Sequence, residues 1–282
     1  MTHSPDEASH LGIYLYCLAK PDCLAVVKGL ADQGVHGIDE RYPISSLEQN
    51  GLVAVIGEVD AGEFHDRNLQ ALSWVGPRAC RHEALVERIM RASPVMPVKF
   101  GTIFQTITSL HGLLARHRET IARCLDTLQG KAEWSVKGYL DDTVARRSVA
   151  AADPAIQAKL AARSASPGAR YFQQKLVDAM IDSALRTWIA RLTGDVQEAL
   201  ETHAVEATAL KLLSGTATGR PERMIFNGGY LVSEAALPSF HAAVAEQAAA
   251  HRADGVTLDV RGPWPPYNFC PDLSAAEPHA GG

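Results

Sequence analysis

The segment KAEWSVKGYL, Lys131 to Leu140, alternates strictly: Trp134, Val136, Gly138 and Leu140 fall on one side, and Glu133, Ser135, Lys137 and Tyr139 on the other. A period of two is the mark of a strand with one buried face. The chain beyond Leu140 decides how that strand is used. Asp141 to Gly168 is rich in Ala, Arg and Asp and is broken by Pro154, which predicts a variable, partly helical excursion at 141–168. From Ala169 to about His203, Phe172, Leu176, Met180, Ala184, Trp188 and Leu192 recur every four residues, which predicts a long helix burying that stripe. AVEATALKLL and ERMIFNGGYLV read as two strands, the second with Met224, Phe226, Tyr230 and Val232 on one face and a bulge at Gly228 and Gly229. A helix presenting Phe240, Val244 and Ala248 ends at Gly255, and VTLDVRG closes with alternating Val256, Leu258 and Val260. The order is β-α-β-β-α-β, the split βαβ arrangement of ferredoxin-like domains.

This gives an α+β chain of two domains: an N-terminal α+β domain at 11–130 and a C-terminal ferredoxin-like domain at 131–273, the latter ending in a Pro-aromatic tail at 262–273. In the first domain GIYLYCLA, GIDERYPI and GLVAVIGEV read as strands, the last of them buried on both faces. GPRACRHEALVERIMRASP predicts a helix with Pro77 in its first turn and Leu85, Val86, Ile89 and Met90 on one stripe. VMPVKFGTIF reads as a strand that Pro97 confines to an edge, its first residues or a bulge. Leu110, Leu114, His117, Ile121, Cys124 and Leu128 form a short heptad seam on one helix, which packs on its own sheet.

With 46% hydrophobic and 21% charged residues, the 282-residue chain has the composition of a globular protein with filled cores. Its net charge of −5 supplies no basic stripe for nucleic acid or an anionic membrane. The opening MTHSPDEASH lacks the pattern of a secretory signal, and no apolar run reaches the length of a membrane span, so a cytoplasmic protein is expected. Five scattered cysteines without C-x-x-C point to reduced thiols.

Catalytic patterns find little foothold. RHEALV misses H-E-x-x-H because Val86 stands where the second His belongs, and nucleotide and hydrolase glycine motifs are absent, so neither metal nor cofactor is expected. ERMIFNGGYLV does not fit the aromatic pattern of RNA-recognition modules. Cys80, between Arg78 and Arg81 at a helix start, leaves open an enzyme using that thiol or an interdomain cleft. The basic cluster Arg78, Arg81, His82, Arg88 and Arg91 is either a solvated helix face or a docking surface for an acidic partner. In the tail, RGPWPPYNF, the candidates are Trp264, Pro265, Pro266, Tyr267 and Phe269. The segment can be a lid on the fold, a polyproline ligand or an assembly grip. Burying three rings at roughly 1.5–3 kcal/mol each about offsets the cost of ordering them, which favours the lid.

GLVAVIGEVD, then WVGPRACRHEALVERIMRASPVMPVKFGTIF and finally RGPWPPYNF, with GKAEWSVKGYLD and YFQQK between, resemble the gas vesicle GvpL/GvpF family from about Gly12 to Leu273. The excursion from Thr143 to Pro167 and both ends fall outside the likeness. The resemblance implies two α+β domains, the second a modified ferredoxin-like one. It also implies a non-enzymatic, minor vesicle-associated component that helps assembly by contacting the small hydrophobic shell subunit and other accessory proteins, located at the gas vesicle. The family supplies no catalytic residues to carry over.

Overall fold

A computed structural model describes residues 11–162 and 166–273; the acidic opening segment and residues 163–165 of the excursion lie outside it. The chain divides into two compact units. One runs through Ala132 and is completed by residues from Trp264 onward, and the other is Glu133–Pro263.

In the first unit the order is β1 (Leu11–Ala19), α1 (Leu24–Asp32), β2 (Ile44–Gln49), β3 (Leu52–Asp60), α2 (Asp66–Gln70), α3 (Leu72–Met90), β4 (Val95–Pro97), β5 (Ile103–Phe104), α4 (Ile107–Arg116) and α5 (Arg118–Leu128). The sheet runs β2-β3-β1-β4, with β5 also on β1, and these pairings are antiparallel. β1 is its centre, and Tyr14 through Ala19 are each no more than 1% exposed, so both faces of the strand are covered. Its pairing with β3 shifts register between Leu15 and Cys17. One face packs Tyr14, Tyr16 and Cys17 with Val27, Ile44, Val53, Val55, Val86 and Ile89. Tyr16 also accepts the Ile38 N–H at 2.8 Å. Only glycine fits at Gly37, where a Cβ would stand 2.0 Å from the Tyr16 hydroxyl.

The second unit contains β6 (Lys131–Leu140, which starts at the boundary), α6 (Asp142–Ala152), α7 (Pro154–Ala161), α8 (Pro167–Glu201), β7 (Glu206–Ala209), α9 (Gly215–Thr218), β8 (Arg223–Ser233), α10 (Leu237–His251) and β9 (Val256–Trp264). Its strands lie in the order β7-β8-β6-β9. Val136, Leu140, Phe226, Tyr230 and Val232 pack with Leu185, Leu192, Val196 and Leu200 of α8 and Phe240 and Val244 of α10. The fold is mixed helix and sheet with two antiparallel sheets.

Several expectations change. GIDERYPI makes only an isolated bridge between His36 and Pro43, because Pro43 has no N–H to extend a ladder; the strand begins at Ile44. VMPVKFGTIF is two short strands, interrupted before β5 where Gly101 takes a φ of 87°. The heptad seam is two helices, since His117 leaves helical geometry (φ −105°, ψ 13°) although the Leu110, Leu114, Ile121, Cys124 and Leu128 stripe is buried. α3 starts at Leu72, five residues before Pro77, which sits inside it. The 141–168 excursion contributes Ala145, Val149, Ala150 and Ile156 to cores, more than a variable insertion would. β7 and β8 pair without a shift at Gly228 and Gly229; Gly228 is there because the Tyr230 ring lies 2.9 Å from where its Cβ would be. Phe172 and Leu176, expected in the core, stand exposed.

Chain continuity places the tail at 262–273 in the second domain, but from Trp264 it belongs to the first unit. Truncation after Pro263 should therefore loosen the first unit and spare the second. In hydrogen exchange, β1 amides should lose protection while those of α10 keep theirs. Unchanged β1 protection would mean that the tail is an appendage.

Candidate functional site

α3 carries two kinds of chemistry on opposite sides. Its inner stripe is His82, Leu85, Val86 and Ile89, all buried. The outer stripe places Arg81, Ala84, Arg88 and Arg91 in solvent at spacings of three and four, as a helix requires. Arg78 lies at the edge of this face. Its guanidinium stacks 4.1 Å over Trp74, donates to the Trp74 carbonyl at 3.3 Å and pairs with Glu63 at 3.4 Å. Arg81 is ion-paired with Glu40. Arg88 and Arg91 carry no ion pair among the described residues. The five-residue cluster is thus divided: two arginines are neutralised within the chain, one member is core, and two cations remain available to a partner.

His82, 2% exposed, is the core member. It is not a surface docking residue. Its Nδ1 lies 2.8 Å from the Tyr14 hydroxyl, and its Nε2 lies 3.1 Å from the Tyr267 hydroxyl. Tyr267 is in turn 2.9 Å from Glu83 Oε2, and Tyr14 accepts the Gly101 N–H at 3.1 Å. The Glu83 carboxylate can only accept, so Tyr267 donates to it and receives the His82 Nε2–H. Nδ1 is then bare and accepts from Tyr14. One neutral imidazole tautomer thereby joins β1, α3, the Gly101 loop and the tail in a single donor chain. Burial pushes both tyrosine hydroxyls well above their ordinary range, and the neighbouring Glu83 reinforces this at Tyr267. The rings of Tyr14, Tyr16, Phe100 and His82 pack at centroid separations of 4.8–6.2 Å.

The tail is fastened in several places. Pro265 and Pro266 are buried, and Tyr267 and Phe269 are half-buried in a short turn closed by Tyr267 N–H to the Pro265 carbonyl at 2.8 Å. Lys99 pairs with Asp272 at 3.0 Å, and the Cys270 and Cys124 sulfurs lie 3.9 Å apart. Trp264, expected to be a main anchor, is 37% exposed. The two prolines, with φ fixed in advance, and the tyrosine hydroxyl do the anchoring instead.

Cys80 is exposed in the interior of α3, not in its first turn, and has no hydrogen-bond partner among the described residues. Among those residues no group of His, Cys, Asp or Glu could hold a metal ion, and no helix is long and apolar enough to cross a membrane. The second unit has a cavity of about 150 Å³ at the end of β7. There Asn227 donates to the Lys211 carbonyl at 2.7 Å, and its buried Oδ1 has no partner among the described residues. A cavity of this size has room for a few waters, and the Asn227 Oδ1 is a polar group to which one could bond.

Burial lowers the His82 pKa from 6.5 to about 4, with a backbone hydrogen bond at Val98 opposing weakly. A histidine depressed in this way binds its proton more tightly unfolded than folded. Its contribution to stability is therefore full above about pH 6.5 and is lost as pH falls towards 4, roughly 2–3 kcal/mol by about pH 4.5. In urea unfolding across this range, His82→Gln should shrink the acid-side loss by that amount. Tyr267→Phe should cost about 1–3 kcal/mol at neutral pH. Parallel pH curves for His82→Gln and the parent would contradict the assignment of a buried neutral imidazole.

The family model for gas vesicle synthesis protein GvpL/GvpF matches residues 12–271. Gas vesicle protein L of a Streptomyces species is 26% identical over 260 residues, covering 91% of each chain. Gas vesicle protein F1 of Halobacterium salinarum is 25% identical over 254 residues, covering 89% of this chain and 90% of its own. The crystal structure of GvpF from Anabaena superposes with a TM-score of 0.68 at 18% identity, covering 92% of this chain and 97% of that one. GvpF from Microcystis aeruginosa gives 0.61 at 18%, covering 92% and 98%. The chain belongs to the GvpL/GvpF family of gas vesicle synthesis proteins.

Proposed function

We propose that this protein is a non-enzymatic accessory component of gas vesicles that assists assembly by binding the shell subunit and other accessory proteins. Family membership over nearly the whole chain supports a gas vesicle-related role. The observation that carries the finer reading is the outer face of α3. Arg88 and Arg91 project into solvent without an ion pair among the described residues, on a helix whose inner face is fixed by Leu85, Val86, Ile89 and the His82 donor chain. Exposed guanidinium groups without an ion pair favour planar hydrogen bonding to partner carboxylates and carbonyls. Arg78 and Arg81 frame this surface, and Tyr267 of the tail, beside the buried Pro265 and Pro266 and the half-buried Phe269, is bonded to His82 and Glu83 of α3, while Trp264 is exposed.

A subunit that polymerises through apolar strands is prone to aggregate before assembly, because unpaired edges template further pairing. In our reading the protein acts like a chaperone, holding such a subunit at the gas vesicle or in the surrounding cytoplasm until it is incorporated. We also read residues 133–263 as a modified ferredoxin-like domain. The β6-α8-β7-β8-α10-β9 succession and the sheet order β7-β8-β6-β9 support this, with α6, α7 and α9 as additions.

Co-expression with the shell subunit tests the central claim. The parent should raise the soluble fraction of the shell subunit and co-purify with it. Arg88→Glu with Arg91→Glu should cut the co-purified amount at least about tenfold, with the melting temperature unchanged. Absence of any complex with the parent would refute shell binding, and a charge-reversed variant that binds normally would move the interface off α3.

A further inference from the structure

The first three turns of α8 bury nothing. Val177 is the first of its residues in a core, and before it Tyr171 is 61% exposed, Phe172 74% and Leu176 49%. Leu160, near the end of α7, is 49% exposed. The two helix ends are tied together, because Gln173 donates to the carbonyls of both Lys159 and Ala162. Phe172 and Leu176 are one turn apart on the same stripe, and Tyr171 meets Phe172 edge-on at a centroid separation of 5.9 Å. Single exposed apolar side chains need no explanation. Four of them on two joined helix ends, two of them aromatic, have the composition of an interaction site.

The charge around them selects the occupant. Lys159, Arg170 and Lys175 are all exposed, and none has an ion pair among the described residues; Lys175 lies over the Tyr171 ring at 5.8 Å. Of the nearby carboxylates, Asp182 pairs with Arg146, and Asp178 and Asp153 keep their charge while accepting from Gln174 at 3.1 Å and from the first N–H groups of α7; none pairs with these three cations. A chain of net charge −5 therefore presents here an apolar patch rimmed by three cations.

We propose that the α7–α8 end is a docking site for an acidic amphipathic helix of a partner protein. Its apolar stripe would lie along Phe172, Leu176 and Leu160, and its flanking carboxylates would face Lys159, Arg170 and Lys175. Two antiparallel helix ends offer the ridges against which a third helix packs. The site is built from residues of the second unit alone and does not depend on the role proposed for the α3 surface.

The probe is a fluorescently labelled synthetic amphipathic peptide with a leucine stripe flanked by glutamates. Its isomer carrying lysines in place of the glutamates is the control, and each is titrated with the full chain and followed by anisotropy. The glutamate peptide should bind at least about tenfold tighter than the lysine peptide and weaken as salt rises. Phe172→Ser with Leu176→Ser should abolish the difference without lowering the melting temperature, since both side chains are solvated. Lys159→Glu with Lys175→Glu should reverse the preference. Equal binding of the two peptides, or none, overturns the proposal. So does self-association of the parent that Phe172→Ser removes, which would make a second copy the occupant. Binding to phosphatidylglycerol vesicles without binding to the peptide would overturn it in favour of a lipid surface.

Discussion

A carboxylate that can only accept sets the direction of the central hydrogen bonds in the first unit. Glu83 takes the Tyr267 proton, Tyr267 takes the proton of His82 Nε2, and the free Nδ1 takes that of Tyr14. Reversing any one member leaves two donors or two acceptors facing each other in a buried place, where a mismatch costs far more than it would in water. The network therefore specifies one arrangement of β1, α3 and the tail, where apolar packing alone would tolerate several. It also explains why an apolar stripe of α3 includes a histidine at all.

The same helix shows how intramolecular pairing edits a surface. Arg41, Arg78 and Arg81 form a belt with Asp39, Glu40 and Glu63. Most of these pairs are exposed and contribute little to stability. Their effect is to remove cations from the face that a partner would meet. The charged surface that remains is smaller and more sharply defined than the density of arginine in the sequence implies.

The strands are legible in two ways: Lys131–Leu140 through its period of two, although Glu133 and Tyr139 of the face read as solvent are buried as well, and Leu52–Asp60 as an apolar run covered on both faces. Turn-and-break features are less readable. Pro77 resembles a helix start because proline is favoured there, yet Leu72 to Gly76 are helical as well, and a local rule gives no weight to what packs on that extra turn. His117 continues a flawless heptad while leaving helical dihedrals. Periodicity marks the stripe of α8 as buried throughout, because it reports which residues share a face and not whether anything covers it. At the candidate site the arginines are visible as a cluster, but their division is not. His82 and Tyr267 are 185 positions apart, and Arg81 and Glu40 are 41 apart, so no local spacing announces either pairing. The one readable hint is a concentration of prolines and rings too apolar for a loose end.

The first unit is discontinuous in the chain: it is opened before residue 133 and completed only from Trp264 onward, with the whole of the second unit strung between. During synthesis from the N-terminus, β1 and α3 emerge long before the tyrosine that completes their hydrogen bonds. Until then His82 faces an unfilled position next to a core of tyrosines and phenylalanines. The second unit, whose strands and helices are contiguous, is free to fold first. The second unit has all of its residues before Tyr267 is made, whereas the hydrogen bonds of the first unit cannot be completed until then.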